Sequence, residues 1–165
     1  MAIDPIDNLD NMGVAKHTQR ALINNSFPKY KSVQKDIVFD GGTLNGIGDI
    51  SGTNNPYTLF DITGTVELSI FAVCKTNLAG AGGTVEVGIT GAIAVLIAQT
   101  TATDIDVGEI WHDDSPDAKV ELTSVIKRNI VTSDVILTAA TADITAGKIQ
   151  FICMWTPISS DGNVA

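Results

Sequence analysis

Cysteine, histidine, aromatic side chains and charge are all scarce in this chain, and each shortage removes a class of explanation. Cys74 and Cys153 are the only cysteines, too few for a disulfide framework. No charged start, apolar core and cleavage site mark a signal peptide at the N-terminus, so folding in a reducing cytoplasm is expected. Both cysteines lie in apolar alternating runs, which predicts two buried small hydrophobes instead of a bridge or a reactive thiol. His17 and His112 are the only histidines. The chain holds no Gly-x-Ser-x-Gly elbow, no His-Glu-x-x-His helix and no motif around a cysteine nucleophile. Five Phe, two Trp and two Tyr are few to line a sugar-cleaving cleft. The expectation is a protein that is not an enzyme and carries no cofactor.

Long apolar runs are missing too. "AIAVLIA" at 92–98 is far shorter than the roughly 20 residues a membrane-spanning helix needs, and it reads as a buried strand. The preceding "AGAGG" lacks the Gly-Lys-Ser/Thr ending of a phosphate-binding loop and is followed by the strand pattern "TVEVGIT", where a dinucleotide site requires a helix. Its glycines read as a hairpin turn joining two strands. Charged residues make up 18% of the chain, against about 25% in a typical soluble domain. The surface is therefore unusually neutral, or part of it is covered in an oligomer.

What is present divides into two textures. A length of 165 residues suits one domain with a real core, with or without an appended arm. Residues 1–35 are polar, show no strand alternation and carry five bases against three acids. They read as an extended arm with at most a few helical turns. The total charge is −9, so the +2 of the arm leaves −11 on the remainder. An acidic body argues against nonspecific nucleic-acid binding, which needs Lys and Arg to neutralise phosphates. The basic arm suits docking on an acidic protein surface, with Lys16, Arg20, Phe27, Lys29, Tyr30, Lys31 and Lys35 as its candidate contact residues.

From residue 36 onward, short β-branched runs are separated by Gly, Asn, Asp and Pro, the pattern of an all-β sandwich or barrel. The predicted strands are "DIVFD", "YTLFDIT", "TVELSIFAVCK", "TVEVGIT", "AIAVLIA", "EIWHD", "KVELTSV", "SDVILTAAT" and "GKIQFICMWTP". The fold class is all-β: an antiparallel β-sandwich, jelly-roll-like, over 36–165. Strand side chains alternate, which puts Val66, Leu68, Ile70, Ala72 and Cys74 on one face. Likewise Ile149, Phe151, Cys153 and Trp155 share a face. On the reverse of that last strand Ile152 and Met154 are apolar as well, and an antiparallel sheet usually leaves one face wet. Ile152 and Met154 are therefore candidate subunit contacts.

The acidic loop "DIDVGEIWHDDSPD", with Asp104, Asp106, Glu109, His112, Asp113, Asp114 and Asp117, is the best candidate for chemistry. Its spacing does not match the helix-loop-helix calcium pattern, and Asp and Pro are ordinary turn residues. It reads as a solvated loop with no metal assigned.

The stretches "FDGGTLNGIGDISGTNNPYTLFDITGTVELSIFAVCKTNL" and "VLIAQTTATDIDVGEIWHDDSPD", with the ending "MWTPISSDGNVA", resemble small structural proteins of tailed-bacteriophage virions. The resemblance covers residues 36–165. It implies a capsid decoration (cement) protein, or a head-fibre or tail component, built as a β-sandwich and often trimeric. The implied partner is the major capsid protein, the implied location the outer capsid surface after folding in the host cytoplasm, with neither nucleic acid nor membrane as a partner. A fibre or tail module that recognises a host or carbohydrate through the loop near His112 is the alternative. No family site residue transfers, because such proteins are defined by surfaces.

Overall fold

Alternating β-branched and aromatic residues build eleven strands in the described part of the computed structural model, which covers residues 30–117 and 119–165. They are β1 Lys31–Val38, β2 Tyr57–Phe60, β3 Ile62–Thr63, β4 Val66–Ala79, β5 Thr84–Ile89, β6 Ala92–Thr101, β7 Ile110–Trp111, β8 Asn129–Val131, β9 Val135–Ala140, β10 Ala146–Pro157 and β11 Asn163–Val164. A short 3-10 turn, Ala102–Asp104, follows β6. One sheet runs β1-β10-β4-β7, with β8 also paired to β4, and a second runs β2-β9-β5-β6. Every pairing is antiparallel.

When β3, β8 and β11 are set aside, the eight remaining strands numbered in chain order lie as 1-8-3-6 and 2-7-4-5. That order is the jelly roll, two four-stranded sheets built from nested Greek keys. The fold is therefore the all-β antiparallel sandwich that the run pattern predicted. A two-strand ribbon of β3 and β11 closes the C-terminus, where Ala165 and Asp61 exchange backbone hydrogen bonds of 3.0 Å.

The core follows from strand periodicity. Val66, Leu68, Ile70, Ala72 and Cys74 of β4 and Ile149, Phe151, Cys153 and Trp155 of β10 are all buried, and they meet Val85, Val87, Val135 and Leu137 of the second sheet in one cluster. Each large side chain buried there contributes about 1.5–3 kcal/mol relative to exposure. Trp111 packs edge-on against Phe151, with ring centroids 6.0 Å apart. On the outward side Phe71, Val73, Ile152 and Met154 are only half covered, whereas Ser69 and Thr156 are buried. Ile152 stands opposite Phe71, and Met154 opposite Ser69.

Four expectations from the sequence need correction. The sheet begins at Lys31, not after residue 35, so Lys31 and Lys35 belong to an edge strand of the sandwich and not to an arm. Their long stems occupy inward-alternating positions with Val33 and Ile37 while the ammonium groups reach out. Lys31 Nζ sits 4.4 Å from the Trp155 ring centroid, and Lys35 Nζ donates to the Thr58 carbonyl at 3.1 Å beside the Tyr57 ring. Lysine at those positions hid the alternation. Lys16, Arg20, Phe27 and Lys29 lie outside the described residues, as does His17. Tyr30 is described, is about half exposed and precedes β1.

"AIAVLIA" is not a buried strand. It lies in β6, which among the described residues pairs only with β5 and does so with register shifts. Ile93 and Val95 are 43% and 50% exposed, and burial begins at Leu96 and Ile97. "KVELTSV" forms no strand: Val120 and Leu122 are exposed, a local bond joins Val125 N–H to the Leu122 carbonyl, and β8 supplies the pairing to β4 instead. Finally, the glycines of "AGAGG" make no hairpin. β4 and β5 lie in different sheets, so Gly80–Gly83 carries the chain across the sandwich, with Gly80 and Gly82 at φ of 149° and 75°. The true hairpin is β5–β6, turning at Thr90 and Gly91.

Candidate functional site

The acidic loop divides at Glu109. Upstream, its carboxylates serve the turn itself. Asp106 accepts from Asn77 Nδ2 at 3.0 Å, Glu109 Oε2 accepts from Asp106 N–H at 2.9 Å, and Asn77 Oδ1 accepts from Val107 N–H at 2.7 Å. These side chains tie the β6–β7 connection to β4, and Asp104 stands at the end of the 3-10 turn.

Downstream, the chain folds back on itself. Ile110 and Asp117 exchange two backbone hydrogen bonds, 2.9 and 3.0 Å, which closes residues 111–116 into a loop. Because Trp111 points into the core, His112 points away from it, yet its side chain is only 5% exposed. Asp113 starts the turn by accepting Ser115 N–H at 2.9 Å on Oδ1, the usual use of Asp in a tight turn. The loop is anchored to the other sheet through Thr100: its Oγ1 accepts from Trp111 Nε1 at 2.8 Å and shares its own proton between the carbonyls of Ala98 and Asp113.

Three carboxylates surround the buried imidazole. Nε2 lies 3.0 Å from Glu121 Oε2 and 4.0 Å from Asp117 Oδ2, while Nδ1 lies 3.6 Å from Asp113 Oδ2. The second oxygen of Glu121 is held by Leu122 N–H at 2.6 Å. One donor atom each from His112, Asp117 and Glu121 fits within 4.8 Å of the others. These three could hold a cation, and an open depression lined by Asp117, Lys119, Val120 and Glu121 gives access. The two acids are polarised against each other. Glu121, as acceptor from His112, is held below the usual carboxylate range. Asp117 is pushed up, first by its hydrogen bond to Glu121 and then by loss of hydration and like charge.

Of the loop residues singled out from the sequence, the fold brings together His112, Asp113 and Asp117, leaves Asp104, Asp106 and Glu109 in the upstream turn, and sets Asp114 beside Ser115, whose hydroxyl donates to it at 3.4 Å. Glu121 completes the group and was hidden inside "KVELTSV", whose alternation reads as strand. The turn residues Ser115 and Pro116 between His112 and Asp117 were the one signal available that the chain folds back there. The cysteines stand apart. Both are buried, and burial pushes the Cys153 thiol up to about 12 and the Cys74 thiol up as well. No family model, curated protein or solved structure matches this chain.

Proposed function

We propose that this chain is a non-enzymatic structural protein of a tailed-phage virion, a capsid decoration protein that oligomerises as a trimer on the outer head surface and binds the major capsid protein. The observation that carries this reading is the outer face of the β1-β10-β4-β7 sheet. There Phe71, Val73, Ile152 and Met154 form an apolar, half-covered patch on a jelly roll, an architecture common in capsid and lectin domains. The patch is the subunit contact, occupied by a second copy. The acidic body faces solvent, and the basic residues ahead of β1 dock on the shell. Many weak contacts on one shell add through multivalency, which reinforces it without catalysis.

The test uses phage heads stripped of this protein. Full-length chain co-sediments with them, and a chain lacking residues 1–30 keeps its β circular-dichroism spectrum and loses binding. Residue 30 is the boundary because β1 starts at Lys31. Full decoration by the truncated chain would refute the docking role. Paired Ile152→Lys and Met154→Lys substitutions lower the oligomer mass in solution, and an unchanged mass would refute the contact face.

The second reading, a fibre or tail module that binds carbohydrate, draws on the depression beside Asp117 and Glu121. Glycan-array binding lost on Asp117→Ala would support it, and a blank array would remove it.

A further inference from the structure

We propose that His112 Nε2, Asp117 and Glu121 bind a single zinc-class dication that clamps the loop following β7 to the edge of the sandwich. Donor type, geometry and outer-shell support each point that way, independently of any role in a virion.

The donor set is one imidazole nitrogen and two carboxylate oxygens. Calcium and magnesium take oxygen ligands, calcium six to eight of them. An imidazole suits zinc and its neighbours, and affinity for nitrogen donors rises along the first-row dications toward copper and zinc. Three protein ligands with a fourth position open to water is a recurrent zinc arrangement.

The distances suit such an ion. Bonds of 2.0–2.1 Å in tetrahedral geometry separate ligand atoms by about 3.3 Å. The Nε2 separations of 3.0 Å to Glu121 and 4.0 Å to Asp117 bracket that value. Asp117, whose side chain is 56% exposed, has room to turn inward by the difference.

A carboxylate for the outer shell stands close by, just beyond hydrogen-bond distance. Metal-binding histidines commonly give their other ring N–H to a carboxylate, which sets the tautomer and the ring orientation. Here Asp113 Oδ2 lies 3.6 Å from Nδ1, and Asp113 is itself oriented by Ser115 N–H. Glu121 is oriented by Leu122 N–H, which leaves Oε2 turned toward the ring. With neutral imidazole the two ligating carboxylates carry −2, which a dication balances.

A nearly buried imidazole aimed at two carboxylates, with a third behind it, is more than a solvated acidic loop needs. The bond from His112 to Glu121 is then the metal-free form of the clamp. The ion would take the place of the shared proton, and the ring proton would move to the Asp113 side. The described residues of 113–117 and 119–127 have little regular structure of their own, and a clamp would supply the order that strand pairing does not.

The experiment is titration calorimetry of the chelator-stripped full-length chain with zinc chloride, together with cobalt(II) absorption spectroscopy. The expected result is one ion per chain at micromolar affinity or tighter, a tetrahedral cobalt spectrum displaced by zinc, and no competition from millimolar magnesium or calcium. Asp117→Ala, at a half-exposed position, weakens binding by 10-fold or more, since loss of even an outer-shell partner typically costs about 10- to 100-fold. Asp104→Ala, outside the cluster, leaves binding unchanged. Absence of zinc binding overturns the proposal. So does binding that Asp117→Ala leaves intact, which would place the ion elsewhere, or binding that calcium displaces.

Discussion

Trp111 and Thr100 join the two sheets through the core: the indole Nε1 of β7 donates to the hydroxyl of β6 at 2.8 Å, and both residues are buried. The same hydroxyl reaches the carbonyl of Asp113 at 3.1 Å. One threonine therefore satisfies a buried tryptophan and fixes where the His112 loop begins.

Replacing Thr100 by Val keeps the shape and removes the acceptor. A buried donor left without a partner costs about 1–3 kcal/mol. Thr100→Val is expected to lower stability in urea unfolding by that amount, and Thr100→Ser by much less. Equal losses from the two substitutions would show that packing, not the hydroxyl, matters here.

The connection between β1 and β2 depends on a backbone contact. A Cβ on Gly41 would lie 2.3 Å from the carbonyl carbon of Gly48, whereas one on Gly42 would meet only Thr145 side-chain atoms at 3.6 Å or more. Gly41→Ala forces the backbones apart and is expected to cost about 1–3 kcal/mol. Gly42→Ala is expected to change the melting temperature little. A Gly41→Ala variant as stable as the parent would contradict the close approach.

Glu86 is 4% exposed, and burial raises its carboxyl above the usual range against an opposing hydrogen bond from Gln99. The folded value lies above the unfolded one, so the fold holds this proton more tightly than the unfolded chain does. That contribution to stability is present at low pH and lost as pH rises through the folded value. Glu86→Gln therefore raises the melting temperature near neutral pH, and the gain shrinks as pH approaches about 4. A gain that grows on acidification would reverse the sign and defeat the argument.

Neither cysteine is placed for reaction. With Cys153 at about 12, its thiolate fraction near pH 8 is about one in ten thousand. An aromatic disulfide reagent should modify neither thiol over hours in the native protein and both at once in denaturant. Rapid native labelling of Cys153 would show that the core opens locally.

Much of the fold was legible because strand patterns are local. Val66, Leu68, Ile70, Ala72 and Cys74, and then Ile149, Phe151, Cys153 and Trp155, alternate inward because a pleated strand allows no other disposition of successive side chains. β1 was misread at its start because Lys31 and Lys35, whose ammonium groups lie over the Trp155 and Tyr57 rings, count as charge.

What local pattern cannot encode is which sheet a strand joins and what lies beyond its edge. The same glycines serve a hairpin or a crossover, and only the jelly-roll order sends β4 and β5 to opposite sheets. "AIAVLIA" is apolar enough for a core, but it lies in the strand at the end of the β2-β9-β5-β6 order, where Ile93 and Val95 stay about half exposed. Glu121 lies nine residues from His112 and meets it only because Ile110 pairs with Asp117. Sequence determined most of the strands, the inward faces of β4 and β10 and the acidic loop, since these follow from side-chain period and composition. Tertiary structure decided the sheet partners and the convergence on His112, because long-range pairing alone sets those distances.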